Sequence, residues 1–184
     1  MTTEISPERS AINMTETQVG RVVQLPVSIE GTLLLSEMPG SEKSLVDWLA
    51  GAEARDTDLI VNLAQRDELA SISPEYLAYI ESNEGIDISG FPIADFSVPV
   101  DMERFHTLVE EVGLRLRSGQ CVIIHCRAGI GRSGLFAAAL LTTLEMSSKD
   151  VLLSIKNAGG RFETEAQRSF LQDYQVYLAD NSLN

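Results

Sequence analysis

In the stretch VIIHCRAGIGRSG, residues 122–134, Cys126 ends a short apolar run, and three glycines and two arginines follow it within eight residues. Gly129, Gly131 and Gly134 let the backbone fold tightly and let a ligand approach closely. Successive backbone N–H groups in such a loop converge into an anion-binding nest. A helix opening after it adds unpaired N–H groups and the positive end of its dipole. Arg132 stands at that helix start, six positions after Cys126. Its planar fork suits two oxygens of a phosphate. A cysteine in this positive setting is favoured as thiolate, and a thiolate beside a bound phosphate is a nucleophile aimed at phosphorus.

The elements that must position this loop can be read around it. QCVIIH reads as a buried strand that delivers Cys126 to its carboxyl end, where ligands bind in open α/β sheets. Gly131–Arg132 opens a very apolar helix reaching about Met146. Upstream, RVVQLPVSI and TLLLS read as strands joined at Glu30-Gly31, and DLIVNLA (58–64) as a strand buried on both faces. IDISGFPI (86–93) is a further strand. Helices are expected from Ser41 to about Arg55, from Ser73 with Pro74 at the first helical position, and from Asp101 to Gly119. SSKDVLLSIKN and TEAQRSFLQDYQVYLAD complete the pattern. Alternating strands and helices imply an α/β domain with a central, mostly parallel twisted sheet flanked by helices. That domain is expected over residues 21–184, with residues 1–20 as an N-terminal arm.

The chain has 184 residues and a net charge of −13. Such a balance argues against nucleic acid and against an anionic membrane surface as partners, so any attraction for an anion must be local. Cys121 and Cys126 lie roughly 16 Å apart if the residues between them are a strand, too far for a disulfide. Free thiols fit a reducing compartment. The N-terminus lacks the apolar core of a secretory signal, and the longest apolar run, residues 134–144, is too short to span a bilayer. A cytoplasmic protein, monomeric and without cofactor or metal, is expected.

HCRAGIGRS resembles the signature loop of the protein tyrosine phosphatase superfamily: His-Cys, five residues, Arg, then Ser or Thr. The resemblance implies the cysteine-dependent phosphatase fold, phosphoryl transfer to Cys126 and hydrolysis of the cysteinyl phosphate. It implies phosphate held by residues Arg127, Ala128, Gly129, Ile130, Gly131 and Arg132, with His125 orienting the loop and Ser133 stabilising the leaving thiolate. A loop acid is expected some thirty residues upstream, and Asp95, in FPIADFSVP, lies 31 before Cys126. Asp101 competes for that role but reads well as a helix cap. NAGGRFETEAQRSFL resembles the segment in which relatives carry a water-positioning glutamine, here Gln167; an exposed helix glutamine is the plainer alternative.

Residues 31–181 are similar to the dual-specificity-like branch, and within it to the kinase-associated phosphatases acting on a cyclin-dependent kinase. The expected partner is therefore a phosphorylated protein carrying phosphotyrosine, phosphoserine or phosphothreonine. Ala128 and Ile130 stand where polyphosphoinositide phosphatases place lysines. Arg66 either faces the substrate or is a solvated loop arginine paired with Asp67 or Glu68. Two other classes stay open: a phosphate-binding pseudophosphatase module, and a rhodanese-type sulfurtransferase. Five residues between Cys126 and Arg132 suit a tetrahedral phosphate better than a persulfide, and Asp95 would have no task in a sulfurtransferase.

Overall fold

Alternation along three central strands organises the domain. In β5 (Cys121–His125), Val122 and Ile124 face one layer while Cys121 and Ile123 face the other. Its neighbours β2 (Thr32–Ser36) and β3 (Thr57–Asn62) repeat the pattern: Leu33, Leu35, Leu59 and Val61 on one side, Leu34 and Ile60 on the other. A strand covered on both faces reads as an unbroken apolar run, because each alternate residue meets a different core. The structure is a computed structural model describing residues 19–181. Nearly all of the expected N-terminal arm lies outside the described residues.

The sheet order is β1-β2-β5-β3-β4, with β1 (Arg21–Val23) antiparallel at one edge and β4 (Asp87–Gly90) at the other. The other three pairings are parallel. β1 is shorter than the expected strand because Pro26, which has no N–H to give a ladder, falls in a turn closed by Ile29 N–H on the Pro26 carbonyl.

On the larger face, α5 (Gly131–Thr143) runs against the sheet, and α4 (Met102–Arg117), α6 (Ser148–Asn157) and α7 (Glu165–Asn181) surround it. Residues 131–141 of α5 are all buried, which explains why it carries no polar face. Each of Leu135, Phe136, Leu140 and Leu141 contributes about 1.5–3 kcal/mol by that burial. Asp101 and Ser147 accept from Arg104 N–H and Asp150 N–H, so α4 and α6 are capped as their sequences suggest.

The opposite face is covered by α1 (Leu45–Glu53), whose Trp48 donates its indole N–H to Ser36 Oγ at 3.1 Å. Ser44, not Ser41, caps α1; Ser41 donates instead to the Met38 carbonyl. Between β3 and β4, where the sequence pattern assigns no element before Ser73, the chain forms α2 (Arg66–Ile72) and then α3 (Pro74–Ser82). Among the described residues, no helix is long and apolar enough to cross a membrane.

Candidate active site

The loop after β5 is held open from outside. Cys126 carbonyl accepts from His125 Nδ1 (3.1 Å), Arg127 carbonyl from Met38 N–H (2.9 Å), and Gly129 carbonyl from Arg21 Nη2 (2.5 Å). Ile130 carbonyl accepts from Gly134 and Arg161 N–H groups at 3.0 and 3.3 Å. In a trans peptide unit the N–H points opposite to the C=O. With these carbonyls held outward, the N–H groups of Arg127, Ala128, Ile130 and Gly131 are turned to the inside of the loop. α5 has no side-chain cap, so its first turn leaves further N–H groups without helical partners. Gly129 has φ +67°, and a Cβ there would collide with the Ser36 carbonyl. A Cβ on Gly131 would collide with the Glu163 carboxylate.

A cavity of about 200 Å³ opens over this loop, lined by Asp95, Phe96, Cys126, Arg127, Arg132 and Glu163 among others. Cys126 is buried at 3% exposure, as a nucleophile at the floor of a cleft would be. Arg132 is 2% exposed and spends its fork on three partners. Nη1 and Nη2 donate to both oxygens of Glu68 at 2.6 and 2.9 Å, Nη1 also to the Ile93 carbonyl at 2.9 Å, and Nη2 lies 2.9 Å from Asp95 Oδ1. Burial pushes the Glu68 carboxyl up, but the Arg132 hydrogen bonds, the Gln65 N–H and the field of Arg132 and Arg127 outweigh it and leave it lowered. The bidentate pair fixes the guanidinium plane beside the loop.

Asp95 arrives on the segment after β4, where Phe96 takes a left-handed φ of +57° and Ser97 N–H closes a turn on the Ala94 carbonyl. Positive φ on an aromatic residue is strained and marks a segment held by its surroundings. One such hold is Gln167. It is fully buried, accepts from Glu163 N–H at 2.8 Å and donates to the Ser97 carbonyl at 3.3 Å. Gln167 therefore stands behind the cleft wall, tying the segment of Asp95 to that of Glu163, and Glu163 is the side chain that reaches the cavity.

His125 is fully buried. Its Nδ1 donates to the Cys126 carbonyl, so Nε2 is left to accept from the Tyr76 hydroxyl at 2.9 Å. Desolvation first, with the Arg132 charge adding, lowers its pKa to about 4 against the pull of the Cys126 carbonyl. The imidazole is neutral at pH 7 and serves as a brace. Ser133 is buried in the first turn of α5, and among the described residues its hydroxyl has no hydrogen-bond partner. Cys121, at the far end of β5, is free and its thiol pKa is raised by burial. Among the described residues no group of three His, Cys, Asp or Glu side chains could hold a metal ion.

The structure thus brings together Cys126, Arg132 and Asp95 with Arg127, Ala128 and Gly131 around one cavity, leaves Gly129 and Ile130 in the loop outside its lining, and places Ser133 and His125 next to the loop in sequence and buried. Arg66 lies outside this group and pairs with Glu81. Glu68 was not expected in the site: it is 64 residues from Arg132, and the only local hint is its place three residues after Gln65, whose N–H it accepts at 3.0 Å. Glu163, which lines the cavity, carries no local sequence signal for that place.

Comparison with known proteins matches residues 37–145 to a family described as polymorphic toxin system, DSP-PTPase phosphatase. Cyclin-dependent kinase inhibitor 3 of Rattus norvegicus is 30% identical over 118 residues, covering 62% of this chain and 55% of that protein. A putative tyrosine phosphatase, 067L, of invertebrate iridescent virus 3 is 39% identical over 70 residues, 36% of this chain and 29% of its own. The chain spans about half the length of the first of these relatives. Among solved structures, kinase associated phosphatase with its catalytic-site cysteine replaced by serine superposes with a TM-score of 0.75 at 24% identity, covering 88% of this chain and 97% of that one. Tk-PTP in its active form gives 0.62 at 28% identity, over 82% and 97%.

Proposed function

The chain belongs to the DSP-PTPase family, in the dual-specificity branch of the protein tyrosine phosphatase superfamily and close to kinase-associated phosphatase, and from that premise we propose that it dephosphorylates phosphoproteins through a cysteinyl-phosphate intermediate. The observation that carries this reading is one cavity lined by Asp95, Cys126 and Arg132, although Asp95 lies 31 residues before the cysteine.

In the proposed reaction, three phosphate oxygens take the inward N–H groups of Arg127, Ala128, Ile130 and Gly131 and the Arg132 fork. The anion displaces Asp95 from Arg132 Nη2, which frees that carboxyl to face the leaving oxygen. The Cys126 thiolate attacks phosphorus, the P–O bond to the leaving group breaks, and Asp95, having taken a proton from solvent once released from Arg132, gives it to that oxygen. Water then attacks the cysteinyl phosphate, Asp95 takes a proton from it, and the S–P bond breaks. The unpartnered Ser133 hydroxyl is the proposed donor to the departing thiolate; a buried hydroxyl without a partner costs about 1–3 kcal/mol, which such a task explains. His125 acts as loop brace. Gln167 acts as a positioning residue behind Glu163 and the Asp95 segment.

Phosphotyrosine together with phosphoserine or phosphothreonine is the proposed substrate class. Release of phosphate from an aryl phosphate tests the reading. The parent should turn over, Cys126→Ser should not, and Asp95→Asn should lose about 10²–10⁴-fold for a poor leaving group. A parent that binds phosphate but never releases product would contradict it.

A further inference from the structure

A second concavity opens on the face shared by α6, α7 and the segment joining them. Its volume is about 290 Å³, its apolar lining comes from Leu152, Ile155 and Phe162, and its charged lining from Lys156, Arg161 and Arg168. Among the described residues no carboxylate lines it, in a chain whose net charge is −13. Arg161 and Arg168 do meet acids at the rim. Arg161 lies 3.7 Å from Glu163, and Arg168 lies 3.2 Å from Glu165, which is 83% exposed. The Arg168–Glu165 pair is exposed on both sides and contributes little, while Glu163 is half-buried toward the cleft and meets Arg161 only at 3.7 Å. Lys156 makes no ion pair among the described residues.

One chain segment links this groove to the cleft. Arg161 N–H bonds the Ile130 carbonyl of the phosphate loop at 3.3 Å, and Glu163, two residues on, lines the cavity over Cys126. Arg161 and Glu163 are two residues apart, at most about 7 Å of chain, so the two linings adjoin through this segment. Cations beside an apolar floor match a segment that alternates acids with an apolar side chain. An anionic bilayer fits less well, because a surface of net −13 is repelled by it and the cations lie in a concavity.

We propose that the groove of Lys156, Arg161 and Arg168 binds an acidic segment flanking the phosphorylated residue of a phosphoprotein substrate, and so selects among phosphoproteins. The proposal rests on the phosphatase reading above. Lys156→Glu/Arg168→Glu is compared with the parent on an aryl phosphate, a phosphopeptide with acidic flanks and one with neutral flanks. The double variant should keep aryl phosphate and neutral-peptide kcat/KM within about twofold and lose about tenfold or more on the acidic peptide. Lys156→Gln/Arg168→Gln should show a smaller loss of the same kind, which removes any concern over charge reversal and folding. An unchanged ratio of acidic to neutral peptide would overturn the proposal, as would a variant whose only loss is binding to phosphatidylserine vesicles. A parent inactive on aryl phosphate overturns the phosphatase reading alone; the groove is then read by fluorescence anisotropy of the same peptides, where equal affinity of parent and variant for the acidic one sinks it.

Discussion

Arg132 concentrates the energetics of the site. Its guanidinium is buried against Glu68, the Ile93 carbonyl and Asp95, and in the proposed reaction the Asp95 contact is the one given up to the incoming phosphate. Removing Glu68 would leave that charge short of its main partner. Breaking a buried pair from one side typically costs about 3–5 kcal/mol, so Glu68→Ala should lose about 3 kcal/mol in urea denaturation and also bind inorganic phosphate more weakly. A variant with parental stability and phosphate affinity would show that the pair holds nothing in place. His125 makes a separate prediction through its depressed pKa. Between about 6.5 and about 4 the unfolded chain takes up a proton that the native chain refuses. Stability therefore falls as pH drops through that window, by up to about 3 kcal/mol from this group. The Glu68 carboxyl, whose pKa is lowered, withdraws its contribution only as pH falls below its ordinary value of 4.5. Melting curves from pH 7 to 4 should be flatter in His125→Gln than in the parent; equal slopes would remove His125 from the account.

At the scale of elements, a strand end, a loop and a helix start form the cradle, and an edge strand keeps it open. Arg21, on β1, donates to the Ala158 and Gly129 carbonyls at 2.8 and 2.5 Å, joining the α6 end to the loop. Arg21→Met keeps most of the stem and removes both bonds. It should weaken inhibition by inorganic phosphate several-fold while leaving the fold intact; parental inhibition would mean that Gly129 needs no outside hold. Much of this level was legible in the sequence. The loop, β3, β5, α5 and the Asp95 segment carry strong local signals: glycine spacing, unbroken apolar runs and a fixed distance between acid and thiol. What stayed hidden depends on contacts far along the chain. α2 has seven residues with one buried side chain, Leu69, so its helical period is barely sampled. Glu68 looks like any exposed helix acid until β3 and β5 bring it to Arg132. For Gln167 the sequence leaves two readings, a site residue by resemblance and an exposed helix glutamine; its burial stays hidden because its two partners, Glu163 N–H and the Ser97 carbonyl, are backbone groups that leave no sequence signature. Ser41 and Ser44 both precede an apolar face, and only the fold decides between them.

For the whole molecule, a surface of net −13 surrounds a cleft built from inward N–H groups and buried Arg132. At an ionic strength of about 0.15 M the long-range repulsion is screened within roughly 8 Å, while contacts inside the cleft are screened far less. Raising salt from about 10 mM to that level should therefore raise kcat/KM for a small aryl phosphate; a steep fall would place the binding charges on the open surface instead. The cationic task in the proposed chemistry belongs to the backbone and Arg132, so turnover should persist in excess chelator. The central claim is that phosphorus passes through the sulfur of Cys126. Reaction with a phosphopeptide, quenched in acid within the first turnover and read by mass spectrometry of the fragment containing residues 121–132, tests it most directly. The account predicts one phosphoryl group on Cys126 during turnover, more of it in Ser133→Ala, and none in Cys126→Ser. Turnover by the parent with no phosphoryl group on Cys126 at any time, or by Cys126→Ser at the parental rate, would contradict it.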